Sequence, residues 1–238
     1  MNKDKIQNIY FLRHALTKKN KDIDNQLMAE PPDSELSDEG KLHAKKTGEC
    51  LKKRNKINMI ISSPTLRCVQ TAKIIAKELG YNPLDIIMES KLSEVKLNDK
   101  YKNLTKQQFK ELKDTDENVR DYLKFLDKKN HIKNQIELNE YLISKSTKDD
   151  KIYEPAEAVS TRVNEFIENL KNLNLENILV VSHGDTIKWL TKFLTNNVGY
   201  DNIQGKLVNN NSYCGITYFV SRNNQFFLLS AQSNAHLE

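Results

Sequence analysis

The sequence predicts an α/β protein, a three-layer α/β/α sandwich on a largely parallel central sheet that carries a helical insertion. Three observations predict it. Short apolar runs of strand length alternate with segments of helical apolar spacing, the pattern that builds a parallel sheet covered by helices on both faces. Two of the runs, Ile9 to Leu12 and Ile178 to Val181, are continuously apolar like strands of a sheet interior, and each leads within two residues to a histidine, His14 or His183. From about residue 96 to 150 the composition shifts to Lys, Asp, Glu and Asn, glycine disappears, and Phe109, Leu112, Tyr122, Phe125 and Leu126 recur at helical intervals. At 238 residues the chain can bury a substantial core, which fits one domain over 1–238 with the insertion at about 96–150.

The elements follow in order. The first strand, Ile9-Tyr10-Phe11-Leu12, ends in Arg13 and His14. The polar stretch Thr17 to Ser34, with Pro31-Pro32, fits neither helix nor strand and is expected to loop over the carboxyl end of the sheet. Ser37-Asp38-Glu39 starts a helix that runs to about Lys53, the serine capping and the carboxylates facing the positive end of the helix dipole. Asn58 to Ser62 is a second strand. Ser63-Pro64 then opens a helix, with Ser63 as cap and Pro64 in the first turn, and Leu66, Val69, Ala72, Ile75, Ala76 and Leu79 give its buried stripe before Gly80 ends it. Leu84 to Met88 reads as a third strand, followed by Leu92-Ser93-Glu94-Val95 in a loop.

After the insertion, Ala156 to Leu173 repeats the helical pattern through Val159, Val163, Phe166, Ile167 and Leu170. Ile178 to Ser182 is the strongest strand, and His183-Gly184-Asp185 opens the helix that follows it. Tyr213 to Val220 and Gln225 to Ser230 close the chain as a hairpin through Arg222-Asn223-Asn224, because Asn tolerates the positive φ of a tight turn. Leu237-Glu238 reads as a cloning remnant and is set aside.

Composition excludes several classes. With 38% hydrophobic and 29% charged residues the chain is polar but able to fold, and no apolar run approaches the length that spans a bilayer. Met1-Asn2-Lys3-Asp4-Lys5 leads into the first strand without a signal-peptide core, so a soluble, cytoplasmic protein is expected, with no membrane partner. Cys50, Cys68 and Cys214 are widely spaced and lack a Cys-x-x-Cys pattern, as reduced thiols do. The net charge of +5 is dispersed and forms no aromatic-interleaved basic stripe, which argues against a nucleic-acid partner and mildly favours anionic substrates. Nothing in the sequence sets an oligomeric state.

The two strand-end histidines carry the chemistry. Adjacent parallel strands would bring His14 and His183 to one edge of the sheet, and Arg67, early in its helix, would face the same crevice. With Arg13 and the loop carboxylate Glu94 they form a set suited to in-line phosphoryl transfer: donors for the equatorial oxygens, a nucleophilic imidazole, and a proton for the leaving oxygen. A metal reading would make His14, His183 and Asp185 ligands, but no local ligand pair has zinc-site spacing and two arginines would repel the cation. His43, His131 and His236 sit in polar or helical contexts and read as surface residues. Gly184 has no glycine-rich companions, so no P-loop or dinucleotide fingerprint is present and no cofactor is expected. The lysines at 96, 100, 102 and 106 interleave with acids and read as a solvated face rather than as a site for a second anion.

These residues carry a resemblance. Leu12-Arg13-His14-Ala15-Leu16-Thr17-Lys18-Lys19-Asn20 resembles the Leu-Arg-His-Gly-Glu-Thr-x-x-Asn signature of the histidine phosphatase superfamily, the phosphoglycerate mutase-like proteins. Leu36 to Ala44, Ile61 to Ala72, Leu92-Ser93-Glu94 and Ile178 to Gly184 resemble that family's later blocks in the same order. The resemblance implies an α/β fold and a phosphohistidine mechanism without metal. It implies His14 as nucleophile, His183 as second pocket histidine, Arg13, Arg67 and Asn20 as phosphate contacts, Gly184 beside them, and Glu94 as proton donor, with Asp185 in reserve. Ala15 stands where the family usually has Gly, Leu16 where it has Glu or Gln, and Glu154 resembles a pocket-flanking Glu of the family.

The expected function is a metal-independent phosphatase acting on small-molecule or protein phosphomonoesters. A cofactor-dependent mutase is the alternative, but the segment from Glu94 to Tyr101 does not resemble the Glu-Arg-x-Tyr-Gly stretch of family mutases. A weakly active phospho-ligand-binding member is the other, supported by Ala15 and Leu16, because a fold does not guarantee turnover.

Overall fold

The computed structural model describes residues 5–21, 27–129, 152–195 and 212–237. Its six strands are β1 (Ile6–Arg13), β2 (Met59–Ser62), β3 (Ile87–Met88), β4 (Asn177–Ser182), β5 (Ile216–Arg222) and β6 (Gln225–Ser233), in the sheet order β3-β2-β4-β1-β5-β6. The pairs β1–β4, β2–β4 and β2–β3 are parallel, while β5 and β6 add an antiparallel edge. Among the described residues the helices are α1 (Lys18–Lys21), α2 (Asp38–Lys52), α3 (Leu66–Leu79), α4 (Lys106–Glu111), α5 (Glu117–Lys129), α6 (Ala156–Asn172) and α7 (Gly184–Leu194).

Side-chain alternation along the central strands explains the three layers. Tyr10, Leu12, Leu179 and Val181 pack against α2 and α3, whereas Ile9, Phe11, Ile178 and Val180 pack against α6 and α7. β4 is buried along its whole length, as its unbroken apolar sequence predicts. A third cluster, around Tyr101, Phe109, Val119 and Ile152, holds α4 and α5 together. Asp116 caps α5 through the Asn118 and Val119 amides, and it also accepts from the Tyr101 hydroxyl and the Lys100 ammonium. Lys102 likewise pairs with Asp99, in keeping with a solvated charged face. The expected insertion residues 130–150, His131 among them, lie outside the described residues, as do 22–26 of the loop after β1.

Several boundaries differ from expectation for local reasons. The third strand shrinks to Ile87–Met88, because the Asn82 side chain caps a 3-10 turn over Pro83–Asp85 that takes up its first half. α3 starts at Leu66 with Thr65 at its N-cap position, and the Ser63 hydroxyl is diverted to His183 instead of capping. The loop after β1 contains the short helix Lys18–Lys21 and rejoins the fold by a bridge from Thr17 to Leu36. The closing hairpin forms as expected, with φ of 51° at Asn223 and 65° at Asn224. Leu237 belongs to the fold: it packs against the core, and its carbonyl accepts from Lys46 Nζ at 2.5 Å. His236 is half-buried and bonded to Thr47 Oγ1 at 3.0 Å, so it is not a solvated residue. All three cysteines are free thiols, and burial pushes Cys68 and Cys214 up to about 12.

Candidate active site

The parallel pairing of β1 with β4 places Arg13 opposite Ser182, and the chain leaves both strands at the same edge. The His14 amide donates to the Ser182 carbonyl at 2.9 Å, which brings the His14 and His183 rings to 5.3 Å between centroids. Both histidines are buried.

Arg67 reaches in from the first turn of α3 and decides the protonation of both rings. Its Nε donates to His14 Nε2 at 3.2 Å and its Nη2 to His183 Nδ1 at 3.1 Å, while Nη1 donates to the Pro31 carbonyl at 3.1 Å. A guanidinium can only donate, so each ring nitrogen facing it must carry a lone pair. The proton of His14 therefore sits on Nδ1, donated to the Ala15 carbonyl at 2.9 Å, and that of His183 on Nε2, donated to Ser63 Oγ at 3.0 Å with Thr65 Oγ1 at 3.2 Å. Burial holds His14 neutral, well below the usual imidazole range, and His183, Arg67 and Arg13 add to the effect. His183 is lowered by burial and then by Arg67 and Arg13.

The loop after His14 is firmly held. The Ala15 amide donates to Thr71 Oγ1 at 3.0 Å, and the Leu16 carbonyl accepts from the Ser37 amide at 2.9 Å. Gly40, in the first turn of α2, is there because a Cβ would collide with the Leu16 carbonyl. Arg13 lies with its guanidinium carbon 4.0 Å from the centre of the Tyr213 ring, a cation–π contact.

Glu94 completes the set from the loop after the 3-10 turn Ser90–Leu92. Its Oε2 lies 3.9 Å from His183 Nδ1, and its Oε1 accepts from the Val95 amide at 3.1 Å and lies 3.3 Å from Thr186 Oγ1. Withdrawal from solvent, reinforced by the nearby Asp185 charge, pushes its carboxyl up to about 7. Asp185 itself is exposed and paired with Lys188 at 2.7 Å. Gly184 is the buried first residue of α7.

The structure thus brings Arg13, His14, Arg67, Glu94 and His183 together. Two further expected residues have protein partners. Asn20 Nδ2 donates to Glu30 Oε2 at 2.8 Å, and Glu154 lies behind the acid loop in a two-point ion pair with Arg162, at 3.1 and 3.2 Å. Glu30, Tyr213, Thr186 and Arg162 were not singled out by sequence. Ser63 and Thr65 stand inside a matched block, where Ser63 reads as a helix cap, whereas Glu30 and Tyr213 carry no motif at all. Among the described residues no group of three or more His, Cys, Asp or Glu side chains is placed to hold a metal ion. Nor is any described helix long and apolar enough to cross a membrane.

The family model of the histidine phosphatase superfamily (branch 1) matches residues 9–232. No curated protein matches the chain by sequence. Among solved structures, a phosphoglycerate mutase from Bacillus anthracis aligns with a TM-score of 0.68 at 20% identity, covering 98% of this chain and 96% of that one. An Escherichia coli structure described as a putative alpha-ribazole-5'-P phosphatase aligns with a TM-score of 0.67 at 18% identity, covering 96% and 97%. The mycobacterial glucosyl-3-phosphoglycerate phosphatase aligns with a TM-score of 0.65 at 19% identity, covering 96% and 99%. At such identities the likeness speaks for the fold alone, but the family model spans nearly the whole chain, and this protein belongs to the histidine phosphatase superfamily, branch 1.

Proposed function

We propose that this protein is a phosphatase that hydrolyses phosphomonoesters, of small molecules or of proteins, through a phosphohistidine on His14 and without a metal ion. The observation that carries this is the state of His14: a buried neutral ring whose Nδ1–H is pinned to a carbonyl and whose Nε2 lone pair faces Arg67. In the first half-reaction Nε2 attacks phosphorus, the bond to the alcohol oxygen breaks, and Glu94 gives that oxygen its proton. The equatorial oxygens take donors from the guanidinium groups of Arg13 and Arg67, while the neutral His183 holds Arg67 in place through its Nδ1 lone pair. In the second half, water attacks the phosphorus, the N–P bond breaks, and the Glu94 carboxylate takes the proton from water. His14 returns neutral and inorganic phosphate leaves. A carboxyl pushed up to about 7 suits both halves, since it can hold a proton for one and lose it for the other.

Labelled substrate quenched in alkali should leave acid-labile phosphate on His14, and none on His14→Ala. Label mapped to another residue, or full turnover by His14→Ala, would overturn the mechanism. Incubation with 3-phosphoglycerate, with and without 2,3-bisphosphoglycerate, separates hydrolysis from mutase chemistry. Release of phosphate from a monoester should outpace formation of 2-phosphoglycerate.

A further inference from the structure

The carboxylate of Glu30 enters the pocket from the segment just before Pro31-Pro32, and phosphate transfer has no step for it to perform. One of its oxygens accepts from the Thr17 hydroxyl. The other accepts from Asn20 Nδ2 at 2.8 Å and lies 3.5 Å from Arg67 Nε, the same nitrogen that faces His14 Nε2. Its side chain is only 14% exposed. An anion therefore already sits on two of the donors that a phosphoryl group needs, one guanidinium nitrogen away from the attacking imidazole.

We propose that Glu30 is a specificity-determining residue, an internal anion that competes with the phosphoryl group for Arg67 and Asn20. The inference rests on the reading of this pocket as a phosphate site and adds to it a reason for discrimination by charge. A dianionic ligand must either displace the carboxylate, giving up its bonds to Thr17 and Asn20, or bind beside it and bear the repulsion. Both routes weaken the hold on dianionic phosphate, and like charges at ion-pair distance in a partly buried site are enough to weaken it by about tenfold to a hundredfold. The competing possibility is that Glu30 braces the loop by holding Thr17 and Asn20 in place. The two roles predict opposite signs when the charge is removed.

The test is calorimetric titration with inorganic phosphate at a pH where it is dianionic, on the wild type, Glu30→Gln and Glu30→Ala. Glu30→Gln keeps the shape of the side chain and removes only its charge; Glu30→Ala removes both, and thermal unfolding shows that each variant is folded. Competition predicts phosphate binding tighter by about tenfold or more in both variants, with a parallel fall in KM for a test monoester. Unchanged or weaker binding in both overturns it in favour of a brace. If neither wild type nor variants bind phosphate, the phosphate-site reading itself fails and carries this inference with it, an outcome distinct from equal binding by all three.

Discussion

Arg162 Nη1 donates to the Lys91 carbonyl at 2.6 Å, and through the same nitrogen to Ser93 at 2.9 Å, so a side chain of α6 grips the backbone directly before Glu94. Glu154 holds the guanidinium from behind and also accepts from the Lys96 amide at 3.2 Å, which ties both ends of the acid loop to one ion pair. Thr186 Oγ1 adds a bond to the Ser93 carbonyl at 2.8 Å. In the proposed mechanism Arg162 is thus a positioning residue, acting through Glu94. Arg162→Gln should lower kcat on alkyl phosphates by about a hundredfold, since misplacing a reacting group by an ångström costs that much. An aryl phosphate whose leaving group departs without a proton should lose far less. Equal losses on both substrates would reduce Arg162 to a purely structural role.

Arg67 touches both histidines, and in the proposed reaction it donates to the transferred group, so its removal should act on rate before affinity. Arg67→Ala is expected to lose about two to three orders of magnitude in kcat, the usual cost of one transition-state donor. Arg67→Lys should restore little, because an ammonium cannot reproduce the fork that spans His14 and His183. Steady-state kinetics on one monoester decides the matter, and a loss below tenfold in Arg67→Ala would contradict it.

The pH profile follows from Glu94. The proposed acid works only while protonated, and its carboxyl is pushed up to about 7, so donor capacity is present below that pH and lost above it. Above pH 7 a monoester whose second pKa is about 6 is already dianionic, and the slope then reports the enzyme. Log kcat/KM for an alkyl phosphate should fall with a slope near −1, and Glu94→Gln should remove that limb. His14 adds no acid limb near 6.5, because burial keeps its pKa well below that value. A profile that stays flat to pH 9 would remove Glu94 from the role of acid.

Stability should respond to Asp116, whose partners are Lys100, Tyr101 and the first amides of α5. Its Oδ1 caps α5 and its Oδ2 accepts from the buried Tyr101 hydroxyl at 2.9 Å. Asp116→Ala loses the cap and leaves the hydroxyl without its acceptor, a cost of about 2–4 kcal/mol. Urea denaturation should show a lower midpoint with an unchanged m-value, while the activity of folded protein is retained.

The sequence by itself determined the layers of this protein and the sheet edge at which its two buried histidines meet. Apolar runs of strand length, helical stripes, Gly80 and the Asn223-Asn224 turn are local signals, and local physics is enough to read them. The convergence of His14 and His183 was also legible, because two continuously apolar strands ending in histidine belong side by side in a parallel sheet. Tertiary structure alone decided what meets those residues across the fold. The hydroxyl of Ser63 could serve a helix cap or a histidine, and only the position of His183 settles it. Nothing near Glu30 in the chain marks it as a neighbour of Arg67, nor Arg162 as the anchor of a loop more than sixty residues earlier. Such contacts join side chains distant in sequence, so they exist only once the packed layers have fixed which loops share an edge.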